Sequence, residues 1–438
     1  MGGRIEHSNR QTIGVADAHR HRMLPQALAV GVGAGFIAVC FRLSLDGGEA
    51  YRQQFLAHVA GRHELGIVVL FGIALAAIAV AAGTVSLLAP ETAGSGVPQL
   101  KADLAANRRL RWVRILFVKF FSTWLGNSAG LILGRGGPSV QMGAAIGQGL
   151  SQLGSGRSPR DSAILLAAGG GAGLAAAFNA PLSGLTFVLE ELDRRCSTLE
   201  FFVAAVACLS ADMVCRALLG QDATFQIPFT PAPALTQLSA FLPLGVCAGL
   251  FGALFNYLML RGRSLADLRG WRRWLWWALL AGLVTFTAFR SPLLLGGGQA
   301  LIDQLLNRDG FALQIVLAYW SIRFGLTVAS ANSGAAGGIF MPVLALGALL
   351  GWACSLLIGP LLDNPVDPRL FATVGMAAFF TGVVQAPLTA IVLIIELTGN
   401  YALILPLFVA CFMALLIAGW LKTSPIYDAL MKSAGGRR

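Results

Sequence analysis

Three short clusters in this chain pair glycine with a proline that opens the next apolar run: Gly94-Ser95-Gly96-Val97-Pro98, Gly134-Arg135-Gly136-Gly137-Pro138 and Gly338-Ile339-Phe340-Met341-Pro342. Glycine lets a backbone come close to a ligand, and proline fits the first helical turn because the N–H it lacks would have no partner there. A helix starting at such a cluster leaves its first amides unsatisfied and turns the positive end of its dipole outward. That is the chemistry of an anion site made from partial charges, to which Ser95 adds a hydroxyl donor. Partial charges suit passage better than Lys or Arg, since a full charge in low dielectric would release an anion slowly. A single Gly-Pro break is as well explained by helix kinking, but three with related spacing are not.

The elements that must position these clusters are membrane helices. With 56% hydrophobic and 12% charged residues, and a mean hydropathy of +0.70, the chain is far more apolar than a soluble domain. Apolar runs near 25–44, 65–89, 112–133, 163–192, 200–219, 237–260, 274–289, 311–329, 339–359, 370–398 and 402–421 approach or exceed the ~20 residues that cross a bilayer as a helix. Several are cut by Gly and Pro. Non-helical backbone is tolerated at membrane depth only where protein packs around it or water reaches it, so the cuts mark a pathway or a binding site. The expected class is an all-α polytopic membrane protein.

Charge placement gives an orientation. Arg4, Arg10, Arg20 and Arg22 precede the first run, and two runs later Lys101, Arg108, Arg109, Arg111 and Arg114 return to the same, cytoplasmic, face. Arg194, Arg195, the arginines from Arg261 to Arg273, and Lys422, Lys432, Arg437 and Arg438 fit that side, whereas 220–236 carries no Lys or Arg. Both termini are therefore expected in the cytoplasm, and the net charge of +11 reads as topology rather than nucleic-acid binding. Residues 1–24 form a polar tail without the apolar core of a signal peptide, and no soluble regulatory domain is expected after the last run. The seven cysteines have no paired spacing, so neither a metal site nor a disulfide framework is expected.

An internal repeat organises the rest. An offset of 204 carries Pro138, Gly143 and Gly147 onto Pro342, Gly347 and Gly351. One of 206 carries Ala180-Pro181-Leu182-Ser183 onto Ala386-Pro387-Leu388-Thr389 and Glu190 onto Glu396, and one of 202 carries Gly94-Ser95-Gly96 onto Gly296-Gly297-Gly298. Two transmembrane repeats, 25–225 and 226–438, are implied. An odd number of spans in each would invert them and place binding sites at the midplane, where broken helices from both halves meet.

The three clusters, together with Asn179-Ala180-Pro181-Leu182 leading to Glu190-Glu191 and Tyr427 after Ser424-Pro425, resemble the CLC family of chloride channels and chloride/proton exchangers over nearly the whole chain beyond the tail. The resemblance implies an inverted-repeat helical fold and a homodimer in the cytoplasmic (inner) membrane's lipid bilayer with one pore per subunit. It also implies a central chloride held by Ser95, the adjoining Gly96, Tyr427 and the amides around Ile339 and Phe340. Gly134, Arg135, Gly137 and Gly338 would belong to the pore helix N-termini. The third residue of the second cluster, a glutamate in the family's exchangers and most of its channels, is Gly136 here. Glycine has nothing to titrate and no side chain to compete with an anion, which predicts passive chloride movement uncoupled from protons. Glu191 matches the family's inner proton-relay position and Glu190 its acidic neighbour, so an exchanger using Glu191 or pore water is the alternative, as is transport of fluoride or nitrate. Lys101 stands where the family is often acidic.

Each group also has a plain structural reading. Glu190 and Glu191 lie beside Asp193, Arg194 and Arg195 and fit a helix end at the interface; Glu396 fits a carboxyl bonded to nearby backbone; Tyr427 alone would be a membrane-belt tyrosine. Enzyme classes find little support. All five histidines, His7, His19, His21, His58 and His63, precede the later runs, leaving Ser95 without a base. Gly171-Ala172-Gly173-Leu174-Ala175-Ala176 fits a loose dinucleotide pattern but has no soluble strand and helix around it, and helix packing through small residues explains it better. No phosphate loop is present, and no cofactor is expected.

Overall fold

The structure, a computed structural model, describes the backbone of residues 2–435 apart from 60–62, 107, 109, 154–157, 194–195, 222–223, 226–232, 308–309 and 362–365, and side chains within 22–433 apart also from 59 and 63–65. The side chains of Arg4, Arg10, Arg20, Arg109, Arg194, Arg195, Arg437 and Arg438 lie outside the described residues.

Seventeen helices follow one another along the described chain. The first eight are α1 (Gly2–Val59), α2 (His63–Leu88), α3 (Val97–Ala106), α4 (Trp112–Ser128), α5 (Gly136–Leu153), α6 (Pro159–Phe178), α7 (Pro181–Phe187) and α8 (Thr198–Leu219). The next eight repeat their order and breaks: α9 (Phe241–Ala266), α10 (Trp271–Arg290), α11 (Gln299–Asn307), α12 (Leu313–Ala331), α13 (Phe340–Ile358), α14 (Pro368–Val384), α15 (Pro387–Thr398) and α16 (Ile404–Trp420). Helix α17 (Ile426–Gly435) is an addition at the end. The fold is an all-α inverted repeat of broken and tilted transmembrane helices. Eight helical segments among the described residues are long and apolar enough to cross a membrane.

The runs 163–192 and 370–398 each hold two helices, for a local reason. Asn179 (φ 58°) and Gln385 (φ 62°) take the left-handed conformation that ends a helix, and an Ala-Pro pair follows each. The prolines Pro181 and Pro387 then open α7 and α15. Residues 2–24, expected as a tail, are the start of the helix α1, which passes through Pro25.

Close packing within each half relies on glycine. A Cβ on Gly143 of α5 would lie 2.2 Å from the Gly169 carbonyl of α6, and one on Gly347 of α13 would lie 2.4 Å from the Gly375 carbonyl of α14. Backbones this close exclude any larger residue, the usual way membrane helices gain contact when lipid supplies no hydrophobic drive.

Polar groups buried in the apolar interior are used twice, once per half. Lys119 of α4 is fully buried and donates to the carbonyls of Thr92 (3.0 Å) and Gly94 (2.6 Å). Arg323 of α12, 204 residues later, is fully buried too and donates to Leu294 (2.7 Å), Gly296 (3.2 Å) and Gly297 (2.7 Å). Each of these side chains holds the glycine loop that precedes a short helix, α3 in the first half and α11 in the second. The carboxylates Glu190 and Glu396 are exchanged between halves. Glu190 accepts from the Leu388 and Thr389 amides and the Thr389 hydroxyl at the start of α15; Glu396 accepts from the Leu182 and Ser183 amides and the Ser183 hydroxyl at the start of α7. Each carboxylate thus caps a helix start of the opposite half, where orphan amides and the positive dipole end favour a negative charge.

Candidate anion site

The three glycine clusters meet. Gly94 and Ala336 form a bridge in which the Gly337 amide donates to the Gly94 carbonyl at 2.9 Å, and Gly134 and Gly338 exchange two backbone hydrogen bonds of 2.6 and 3.0 Å. Their closeness is backbone against backbone: a Cβ on Gly137 would lie 2.3 Å from Ser95 Oγ and 3.3 Å from Gly338 Cα. Helices α3, α5 and α13 therefore begin around one small volume, with unsatisfied amides at their first turns. Ser95, Gly96, Gly134, Arg135, Gly136, Gly137, Gly338, Ile339 and Phe340 are all buried there.

Tyr427 reaches the same place from the far end of the sequence. It is 0% exposed, near enough to Ser95 and Glu191 for both to act on its phenol. Burial, reinforced by the Glu191 charge, pushes that phenol up against a smaller opposing effect of Ser95, so the hydroxyl stays protonated and can donate. Neither the Tyr427 hydroxyl nor Ser95 Oγ has a hydrogen-bond partner of proper geometry among the described residues. Two buried, unpartnered donors facing the starts of three helices fit an anion, because buried polar groups are normally paired.

A cavity of about 260 Å³ leads to Ser95 and Ile339. Met259, Arg263, Asp267, Arg273, Trp277 and Leu430 are among its walls, so the 261–273 segment brings two arginines and one aspartate to it.

Position 136 is filled by its neighbours. A Cβ on Gly136 would lie 2.9 Å from Phe178 Cε2, 3.0 Å from Phe178 Cζ and 3.0 Å from Phe340 Cβ. The Phe178 and Phe340 rings sit 5.2 Å apart, and the Arg135 guanidinium lies 5.7 Å from the centre of the Phe178 ring. Aromatic surface therefore packs directly against the glycine at this position.

The carboxylates separate. Glu190 caps α15 as described above, whereas Glu191 is 2% exposed and accepts from Lys101 Nζ at 2.7 Å. Lys101 also pairs with Asp428. Lys119, Arg323, Phe178 and the Lys101 ion pairs were not singled out from the sequence for these roles. The repeat offset of 204 would have linked Lys119 to Arg323, but nothing local showed that Lys101 meets a carboxylate 90 residues away.

Comparison with known proteins places these features in context. The family described as voltage gated chloride channel matches residues 77–419. An H(+)/Cl(-) exchange transporter ClcA of Vibrio parahaemolyticus is 37% identical over 421 residues, covering 93% of this chain and 89% of that protein. One of Vibrio cholerae is 37% identical over 416 residues, 92% of this chain and 88% of its own length. Among solved structures, a slow cyanobacterial Cl-/H+ antiporter superposes with a TM-score of 0.90 at 31% identity, covering 95% of this chain and 99% of that one.

Proposed function

Since this chain belongs to the voltage-gated chloride channel (CLC) family, a family of membrane anion transporters, we propose that it carries chloride through the site formed by Ser95, Tyr427 and the starts of α3, α5 and α13. The observation that carries this reading is the pair of buried, unpartnered hydroxyls at the meeting point of three helix starts. Gly96 and the amides of Ile339 and Phe340 complete the proposed ligand set, with Gly134, Arg135, Gly137 and Gly338 shaping its approaches. The unit is a homodimer of two-repeat subunits, 25–225 and 226–438, in the inner membrane with both termini cytoplasmic.

The relatives favour chloride/proton exchange over the passive conduction expected from Gly136, since both curated relatives and the 31%-identical structure are named as exchangers or antiporters. In that mode Glu191 is the inner proton group, and pore water must carry the proton past position 136. A passive mode has its own support in the absence of a carboxylate at 136 and in the ion pair with Lys101 that engages Glu191.

Simultaneous chloride and proton recording from purified protein in liposomes, under a chloride gradient with the membrane voltage clamped, separates the two. Uphill proton movement at a fixed ratio is the expected outcome of exchange. Chloride efflux without proton uptake would return the protein to the passive class, and no chloride flux would sink the transport reading.

A further inference from the structure

We infer that Lys101 is a positioning residue which fastens Tyr427 over the anion site, so that its ion pair with Asp428 limits how often the cavity side of the site opens. The inference rests on the proposed role of Ser95 and Tyr427 as anion donors and adds what holds the second of them in place.

Lys101 lies on α3, the helix that begins beside Ser95, and Asp428 is the residue after Tyr427 in the first turn of α17. Their ion pair therefore joins the two elements that carry the two hydroxyls. The lysine is 11% exposed at its side chain and the aspartate 25%, so solvent screens the contact only in part. Glu191 completes a triad: its nearly inaccessible carboxylate lies 2.7 Å from Lys101 Nζ and fixes the ammonium from the side of the segment 188–192.

The rest of α17 is held differently. Arg263 of α9 donates to the Leu430 carbonyl at 2.8 Å and to Ser433 Oγ, one to two turns beyond Tyr427. The strand of chain leading into α17 is pinned as well, by Gln385 Nε2 on the Thr423 carbonyl (2.7 Å) and Asn256 Nδ2 on the Ser424 carbonyl (3.3 Å). Leu430, one turn after Tyr427 on α17, lies in the wall of the cavity that reaches Ser95. With both flanks tied by hydrogen bonds to backbone, Lys101 is the charged contact at the Tyr427 turn, and a rotation that lifts the tyrosine must break it.

The test compares wild type with Asp428→Asn, Lys101→Met and Lys101→Arg, using initial chloride efflux from liposomes and chloride affinity by calorimetry. Asp428→Asn keeps a polar residue in the first turn of α17 and leaves Lys101 on Glu191, so a folding defect is least expected there. Efflux is expected to rise about threefold in Asp428→Asn and at least as much in Lys101→Met, the effect of one partly screened ion pair on an opening step. Lys101→Arg should stay near the wild-type rate. Unchanged or slower efflux in Asp428→Asn protein that elutes and melts like the wild type overturns the inference, as does Lys101→Arg as fast as Lys101→Met. Tyr427→Ala serves as the control. Unaltered chloride affinity in that variant removes the anion-site reading itself, whereas weakened affinity with no effect of Asp428→Asn removes only the latch.

Discussion

Position 136 turns on a few ångströms. Aromatic packing occupies the space at Gly136, with Phe178 and Phe340 near enough that even a methyl group at this position would crowd them. Gly136→Glu therefore has two consequences. The Phe178 ring can swing aside, but Phe340 Cβ is fixed by its backbone, so some loss of thermal stability is expected. Where the protein folds, an ionised carboxylate then competes with chloride at the starts of α5 and α13, and efflux near pH 7 should fall about tenfold. Protonation removes the competing charge, so part of that rate should return as pH drops below about 4.3, the ordinary value of a glutamate. Equal efflux at both pH values, at the wild-type rate, from a folded variant would show that position 136 does not face the ion path. Its surroundings were not legible in the sequence, because Phe178 lies at the far end of the following helix α6 and Phe340 in the other repeat.

At the scale of elements, the reciprocal caps decide how Glu190 and Glu396 should be understood. Both stand in apolar runs, where an ionised carboxylate on a spanning helix costs roughly 2.5 to 3.5 kcal/mol and so invites a functional reading. The reading of Glu396 as bonded to nearby backbone agrees with its hydrogen bonds to Leu182 and Ser183. Glu190 does the same for Leu388 and Thr389, which leaves Glu191, of these three glutamates, beside the anion donors. Glu396→Ala should cost about 1 to 3 kcal/mol by leaving the α7 amides unpaired, seen as a lower thermal midpoint in detergent with unaltered chloride affinity. A normal midpoint would deny the cap any energetic role. The repeat made this interlock partly legible, since 190 and 396 share an offset with Pro181 and Pro387. That each glutamate serves the other half was not, because an offset states equivalence and not contact.

For the molecule as a whole, the proposed dimer has a direct readout. Helices α7, α15 and α16 leave Leu182, Leu388, Leu405 and Leu416 about half exposed or more. Such a surface is satisfied by lipid or by a second copy related by a twofold axis. Purified protein in detergent should have a protein mass of about 92 kDa by light scattering, twice the 46.0 kDa of one chain. A mass of one chain at micromolar concentration would contradict the dimer and would leave a complete anion site in a single subunit, since all its proposed residues come from one chain.

Composition, the apolar runs and the repeat by themselves determined that this is a helical membrane protein of two related halves, because lipid admits few backbone solutions and each leaves a period in the sequence. The Gly-Pro clusters determined where helices start, because proline and glycine act through local backbone geometry alone. Tertiary structure decided which starts face one another, that Tyr427 returns from the chain's end to meet Ser95, and that Lys101 sits against Glu191 and Asp428. Those contacts join residues up to about 330 positions apart, such as Ser95 and Tyr427. Charge and hydrogen bonding act through space, and only folding brings such residues within their range.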